Sequence, residues 1–481
     1  MHKPSTLLLT LFLISLQALP AQNLNRLDRA VRYARCNPSL RHASLSICLR
    51  DIQSDTTLYF SDPDIALHPA DLNKLFTSAA AYEFLGPEFR FSTTLEYSGY
   101  IEPGRGILHG NLYVCGNGDP LIGSPDYRQM RRDSVFASLG QRIRLAGIRH
   151  ITGHVYVDGT AYPDESAHPS WQWGDIGNYY GAGASGFNYH NNFVEVHLAA
   201  GKREGDPAII RSHYPDCDIV NHIVTGSADT MGAVSFYGTP DGTQRCCRGV
   251  LPLGTVDTVV WASLPSPGLF FAREFTTYLR QVMSIPVTGD ARIVGTEGRN
   301  EKTVAIESNY LTAPLREIYR NALFDNINTV AESLFKQLGL QKMQQGTYHG
   351  GYQAMRLLFG QMGLNDTAIR LVDGSGLSRD NLVTADFICQ FLDTFASQPC
   401  FADYYDNWDM DSYATLFPRK PKNCIIKYRT GAAMGVRNIA GYIHTPRGRA
   451  YAFAILCNNY NCPSDEIDQI LEDIMEQMAR L

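Results

Sequence analysis

Leu67-His68-Pro69-Ala70-Asp71-Leu72-Asn73-Lys74-Leu75 is the stretch on which the reading of this chain turns. Pro69 has no backbone N–H to leave unsatisfied and a φ already suited to a first helical turn, so it marks a helix start. Behind it Leu72, Leu75, Phe76, Ala79 and Phe84 recur at roughly helical spacing until Gly86-Pro87 stops the run. Asp71 and Lys74 stand one turn apart on one face, where opposite charges attract. This helix start is the first candidate site.

Upstream, Leu24, Leu27 and Val31 predict a short amphipathic helix, and Ala43 to Ile52 with Thr57 to Phe60 predict a hairpin turning at Gln53 to Asp55. Downstream, from about Phe91 to Val304, the texture changes to short glycine-punctuated β segments such as Gly110 to Val114, His154 to Asp158 and Phe193 to Leu198. That stretch reads as an insertion. Helical periodicity returns from Thr312 through Leu315, Ile318, Leu323, Val330, Leu334 and Leu338, ending at Gly339, with a second helix from about Tyr352 to Met362. Ile425 to Lys427, Ile439 to Ile443 and Ala450 to Cys457 read as strands, the last two joined by a turn at Thr445 to Gly448. Pro463-Ser464-Asp465-Glu466 then open a final helix with Ile467, Ile470, Leu471, Ile474 and Met478 on one face. Helices and hairpins at both ends predict one antiparallel sheet built from the two chain termini.

The chain has 481 residues, 44% apolar, 11% aromatic and 19% charged, which excludes one small module and a disordered chain. A net charge of −6 supplies no general attraction to phosphate backbones, so nucleic acid is not an expected partner. At the N-terminus His2 and Lys3, an apolar run from Leu7 to Leu16, and Ala18-Leu19-Pro20-Ala21 describe a signal peptide over residues 1–21. No later apolar stretch reaches about 18 residues, so an exported, periplasmic or extracellular protein without an integral membrane segment is expected. Export favours disulfides, with Cys36 and Cys48, Cys389 and Cys400, and Cys457 and Cys462 as neighbouring candidates among eleven cysteines; connectivity stays open. With no CxxC or HExxH and 13 scattered histidines, no metal or cofactor is expected. Trp171 and Trp173, near Tyr179 and Tyr180, have the chemistry to stack a sugar, but a place in the inserted core is expected.

The order of segments resembles the serine-type D-alanyl-D-alanine carboxypeptidases and endopeptidases, the low-molecular-mass penicillin-binding proteins with large insertions. The resemblance covers nearly all of the chain after residue 21. It is carried by Leu67 to Leu75, Gly110-Asn111-Leu112-Tyr113, Gly118-Asp119-Pro120 and Gly177-Asn178-Tyr179-Tyr180-Gly181-Ala182-Gly183. It continues through Ala272-Arg273-Glu274-Phe275, Ala331-Glu332, Asp373-Gly374-Ser375-Gly376-Leu377-Ser378-Arg379, Arg429-Thr430-Gly431 and Ala440-Gly441-Tyr442. It implies an α/β (α+β) fold: a penicillin-binding-protein and β-lactamase-like transpeptidase domain, an antiparallel sheet flanked by helices, from residues 24–92 and 305–481. Residues 93–304 would form one or more inserted β-rich domains.

The family's acyl transfer uses a Ser-x-x-Lys at a helix start, a Ser-x-Asn element and a Lys-Thr-Gly strand. Carried over by position, the nucleophilic serine falls on Asp71 and its lysine on Lys74. The second element falls on Asn326-Ile327-Asn328, so Asn328 matches and Asn326 replaces a serine. The third is Arg429-Thr430-Gly431, followed by Ala432; it keeps a cation and a hydroxyl for a substrate carboxylate, in a different geometry. Ser333-Leu334-Phe335-Lys336 is the chain's one Ser-x-x-Lys and reads as an ordinary helix face. A carboxylate near pH 7 is already ionised and would pair with Lys74, and its charge suits a first helical turn. The expectation is therefore a catalytically impaired family member that acts on or binds peptidoglycan stem peptides ending in D-Ala-D-Ala, or a cell-wall protein partner. The alternative is an active serine-type carboxypeptidase or endopeptidase.

Overall fold

The computed structural model describes residues 23–481 apart from 164–165, 216, 241, 296–297, 324–326, 407 and 409–423. The expected signal peptide, residues 1–21, lies outside the described residues. The chain divides into two compact units. The first takes the described part of residues 1–79 together with 356–371 and 379–481, and the second takes 80–355 and 372–378.

The first unit is built on a five-stranded sheet in the order Ile425–Ala433, Val436–His444, Ala450–Asn458, Ser44–Asp51, Thr56–Ser61. Every neighbouring pair is antiparallel, and Ser44–Asp51 lies beside Ala450–Asn458, so the two ends of the chain meet in one sheet. Both central strands are buried along nearly their whole length, which requires cover on both faces and explains their continuous apolar runs. One face is covered by the first helix, residues 23–36, and the last helix, Ser464–Met478, through Leu27, Val31, Ile467, Leu471, Ile474 and Met478. On the other, Ala385–Ala396 packs against both central strands, and Phe387 and Phe391 meet Phe76 at 6.0 and 4.8 Å between ring centroids.

In the second unit a mixed five-stranded sheet is ordered Ala291–Ile293, Val155–Asp158, Leu112–Cys115, Ser92–Ser98, Thr303–Leu311. Three smaller three-stranded sheets accompany it, one of them Ile209–Tyr214, Phe193–Ala199, Thr258–Ser263. The helix Asn328–Met343 is buried from Asn328 through Gly339.

Three expectations are corrected. The helical run read from 312 to 339 is two helices, Leu315–Leu323 and Asn328–Met343, because Ile327 is extended at φ −82° and ψ 101°. Gly339 is not the stop: a Cβ there would lie 2.5 Å from the Gln345 carbonyl oxygen and 2.6 Å from Gly350 C, so glycine serves close backbone approach, and left-handed Gln344 ends the helix. None of the expected neighbouring cysteine pairs is bridged, since Cys36, Cys48, Cys389, Cys457 and Cys462 are thiols in the structure.

Candidate active site

Asp71 sits in a single 3-10 turn, Ala70–Leu72, that leads directly into the helix Asn73–Leu85. Ala70 adopts φ +49°, a conformation that costs a non-glycine residue energy and persists only where neighbours hold it. The holding contacts are specific. The Ala70 N–H donates to His68 Nδ1 at 3.1 Å, and Asn438 Nδ2 donates to the carbonyl oxygens of His68 and Pro69 at 2.9 Å each. Asn458 Nδ2 adds a third bond to the His68 carbonyl at 3.2 Å. Two asparagines on neighbouring strands of the central sheet thus fix the backbone in front of Asp71.

Lys74 Nζ donates to Asp71 Oδ1 at 2.5 Å, with the lysine side chain fully buried and the carboxylate 23% exposed. The strand Ile425–Ala433 approaches the same turn. A Cβ at Gly431 would lie 2.4 Å from the Pro69 carbonyl oxygen and 3.0 Å from the Leu72 nitrogen, so only glycine allows this contact. The next residue brings its N–H to 3.5 Å from Asp71 Oδ2, at the outer limit of a hydrogen bond. Asp71, Lys74, Gly431 and Ala432 are therefore assembled in one place.

Arg429 is buried on the same strand, and Thr430 is half-buried. Burial pushes the Tyr404 phenol well above its ordinary value, while the Ser78 hydroxyl and the Arg429 charge pull it back, so the guanidinium lies within electrostatic reach of Tyr404. Ser78 and Tyr404 share a hydrogen bond of 2.9 Å.

Asn328 belongs to the second unit, as the first residue of its helix; its Nδ2 donates to the Tyr180 carbonyl at 2.7 Å, and its Oδ1 has no partner among the described residues. Asn326 lies outside the described residues. Behind Asn328, Glu332 accepts the N–H groups of Gly374 and Ser375 at 2.9 and 2.7 Å, and Asp373 accepts those of Gly376 and Ser378 and the Trp171 indole at 2.9, 2.6 and 2.8 Å. The Asp373-to-Arg379 motif is thus held, through Ser378, by two buried carboxyl groups.

The profile of the D-Ala-D-Ala carboxypeptidase 3 (S13) family matches residues 27–481. This chain belongs to that family. A D-alanyl-D-alanine carboxypeptidase of Actinomadura sp. strain R39 is 27% identical over 448 residues, covering 89% of this chain and 80% of that protein. A D-alanyl-D-alanine carboxypeptidase of Haemophilus influenzae is 23% identical, covering 82% of this chain and 80% of that one. Among solved structures, penicillin binding protein 4 from Haemophilus influenzae superposes with a TM-score of 0.78 at 20% identity, covering 91% of this chain and 97% of the other. The fold of this S13 chain is accordingly the penicillin-binding, β-lactamase-like one, with additional domains.

Within the S13 chain the Ser333-x-x-Lys336 pattern is structural, as read. Both residues are buried; Ser333 Oγ accepts from Asn188 Nδ2 at 3.3 Å, while Lys336 Nζ donates to the Ala184 carbonyl at 3.1 Å and lies 4.2 Å from the Tyr348 ring centroid. Trp171 is core, as expected, but Trp173 and Tyr179 are not; both are exposed, which corrects the reading of that segment as buried. Sequence reasoning missed Asn438 and Asn458. Their signal was a polar residue inside an otherwise apolar strand, which a folded sheet tolerates only when its amide is bonded.

Proposed function

We propose that this S13 protein recognises D-Ala-D-Ala-terminated stem peptides of peptidoglycan outside the cytoplasm and carries out acyl transfer poorly or not at all. The observation that carries the reading is the Asp71–Lys74 ion pair of 2.5 Å with the amine fully buried. A carboxylate in the nucleophile's place has no hydroxyl proton to give up, and its attack on an amide would yield an anhydride rather than a stable ester. An amine already occupied by that carboxylate is a poor base. Binding does not need the nucleophile: Arg429 and Thr430 retain a cation and a hydroxyl for the peptide's terminal carboxylate, with the Gly431 and Ala432 backbone beside them. Asn326 in place of a serine removes a second hydroxyl from the family pattern. The reading includes export directed by residues 1–21 and a discontinuous transpeptidase-like domain, 24–92 with 305–481, around an insertion at 93–304. A sheet that joins strands from both chain ends supports a discontinuous domain, although residues 80–92 and 305–355 pack in the same compact unit as 93–304.

Labelling of the purified protein with a fluorescent penicillin tests the reading. No covalent label is expected. Label that forms and is lost on replacing one serine establishes the alternative, an active serine enzyme. Restoring Asp71→Ser, Asn326→Ser and Arg429→Lys together is expected to bring label back. In calorimetry a D-Ala-D-Ala peptide is expected to give measurable heat; silence at millimolar peptide sinks substrate recognition and leaves a protein partner.

A further inference from the structure

The strand Phe193–Ala199 alternates: Val194, Val196 and Leu198 are buried, while Phe193, Glu195 and His197 face the other way. Its edge neighbour Thr258–Ser263 sets Trp261 directly opposite Glu195 on that outer face. Trp261 is 46% exposed and Tyr179, bridged in through the adjoining Asn178–Ala262 pair, is 40% exposed. The Tyr179 ring stands 6.1 Å from Trp261 and 5.4 Å from Phe193, edge to face in both cases. One exposed aromatic is ordinary, but a contiguous cluster of this kind marks a contact surface. Polar groups stand at its border: His197 Nε2 meets Glu195 at 2.9 Å, and its Nδ1 meets Asp257 at 3.3 Å.

We propose that this face is a carbohydrate-stacking surface for a neutral N-acetylhexosamine glycan, with Trp261 and Tyr179 as the platforms and Glu195 and His197 as hydrogen-bonding groups for ring substituents. The chemistry selects the occupant. Neither of these two strands carries a Lys or Arg, and the sheet's third strand, Ile209–Tyr214, adds only Arg211 against the Glu195 and Asp257 carboxylates, so phosphate polymers and anionic headgroups find no net counter-charge. A protein partner would have to desolvate the Glu195–His197–Asp257 group, which is costly, whereas a sugar lays its C–H face on the rings and leaves those side chains bonded to hydroxyls and water. The choice of glycan rests on the cell-wall reading above; the exposed aromatic face does not.

Isothermal titration calorimetry of the full chain with a β-1,4-linked N-acetylglucosamine tetramer, whose readout does not depend on the tryptophan being replaced, tests this. Saturable binding is expected, weakened roughly five- to ten-fold by Trp261→Ala or Tyr179→Ala and little by Trp261→Phe, with circular dichroism unchanged in all three. No saturable response of the unaltered protein, or equal binding by Trp261→Ala, overturns the proposal. A concentration-dependent dimer lost in Trp261→Ala overturns it too, making the face a protein contact. Calorimetry with the D-Ala-D-Ala peptide on the same sample separates the two readings: glycan binding without peptide binding upholds this surface while substrate recognition fails, and peptide binding alone sinks this surface only.

Discussion

Asp119 is almost completely buried; its Oδ1 accepts the Leu121 N–H at 2.9 Å and its Oδ2 has no partner among the described residues. Burial pushes this carboxyl from 3.8 up to about 7, opposed by the Leu121 bond. Glu332 is pushed from 4.5 up to about 8, first by burial and then by the nearby Asp373 charge. Both groups hold a proton more tightly folded than unfolded, so their contribution to stability is fully present below about pH 4 and is lost as pH rises through 7 to 8. The swing for Asp119 alone corresponds to about 4 kcal/mol. The melting temperature is therefore expected to fall between pH 5 and pH 9, and Asp119→Asn, which cannot ionise, is expected to flatten part of that slope. An equal slope in the variant, followed by circular dichroism, would remove Asp119 from the account. None of this is visible in Gly118-Asp119-Pro120 as a string, because a pKa is set by neighbours that only the fold supplies. The i, i+3 spacing of Asp71 and Lys74, in contrast, needed no structure to notice; what the structure adds is that the two side chains stand at bonding distance.

The elements divide by how locally their causes act. The hairpin, the helix after Pro69, the last three strands and the final helix were legible because period-2 and period-3.6 patterns with turn residues are local signals. The helix break near Ile327 was not, since the apolar positions on either side continue one rhythm. Gly339 misled for a related reason: glycine ends helices in general, but here it admits a crossing backbone. Asn438 sits within this limit of local reading, because its value lies in a loop 370 residues away in sequence. It accepts the Cys457 N–H at 3.1 Å while donating to His68 and Pro69, and it is fully buried. Asn438→Ala would strip the buried Cys457 N–H of its acceptor and leave the His68 carbonyl to Asn458 and the Pro69 carbonyl to the Leu72 N–H, so a loss of roughly 2–4 kcal/mol is expected in urea unfolding. A loss below about 1 kcal/mol would mean that the Ala70 conformation is held mainly by His68.

For the molecule as a whole, the sheet that joins both chain ends makes the first unit depend on residues at the far end of the sequence. The last helix buries Ile467, Ile470, Leu471, Ile474, Met475 and Met478 against it. At about 1.5–3 kcal/mol for each such side chain, their removal exposes apolar surface worth on the order of 10 kcal/mol, comparable with the whole stability of a typical domain. The second unit is different: apart from residues 372–378 it is continuous from 80 to 355 and carries its own sheets and the buried helix Asn328–Met343. A chain ending at Asn458 is therefore expected to lose the first unit's fold and keep much of the second. Limited proteolysis followed by mass spectrometry reads this directly, as a resistant fragment with ends near residues 80 and 355 in the truncated chain and protection of the terminal strands in the full one. Wholesale digestion of the truncated chain would show that the second unit cannot stand without the first, and intact terminal strands would show that the last helix contributes far less than its buried face implies.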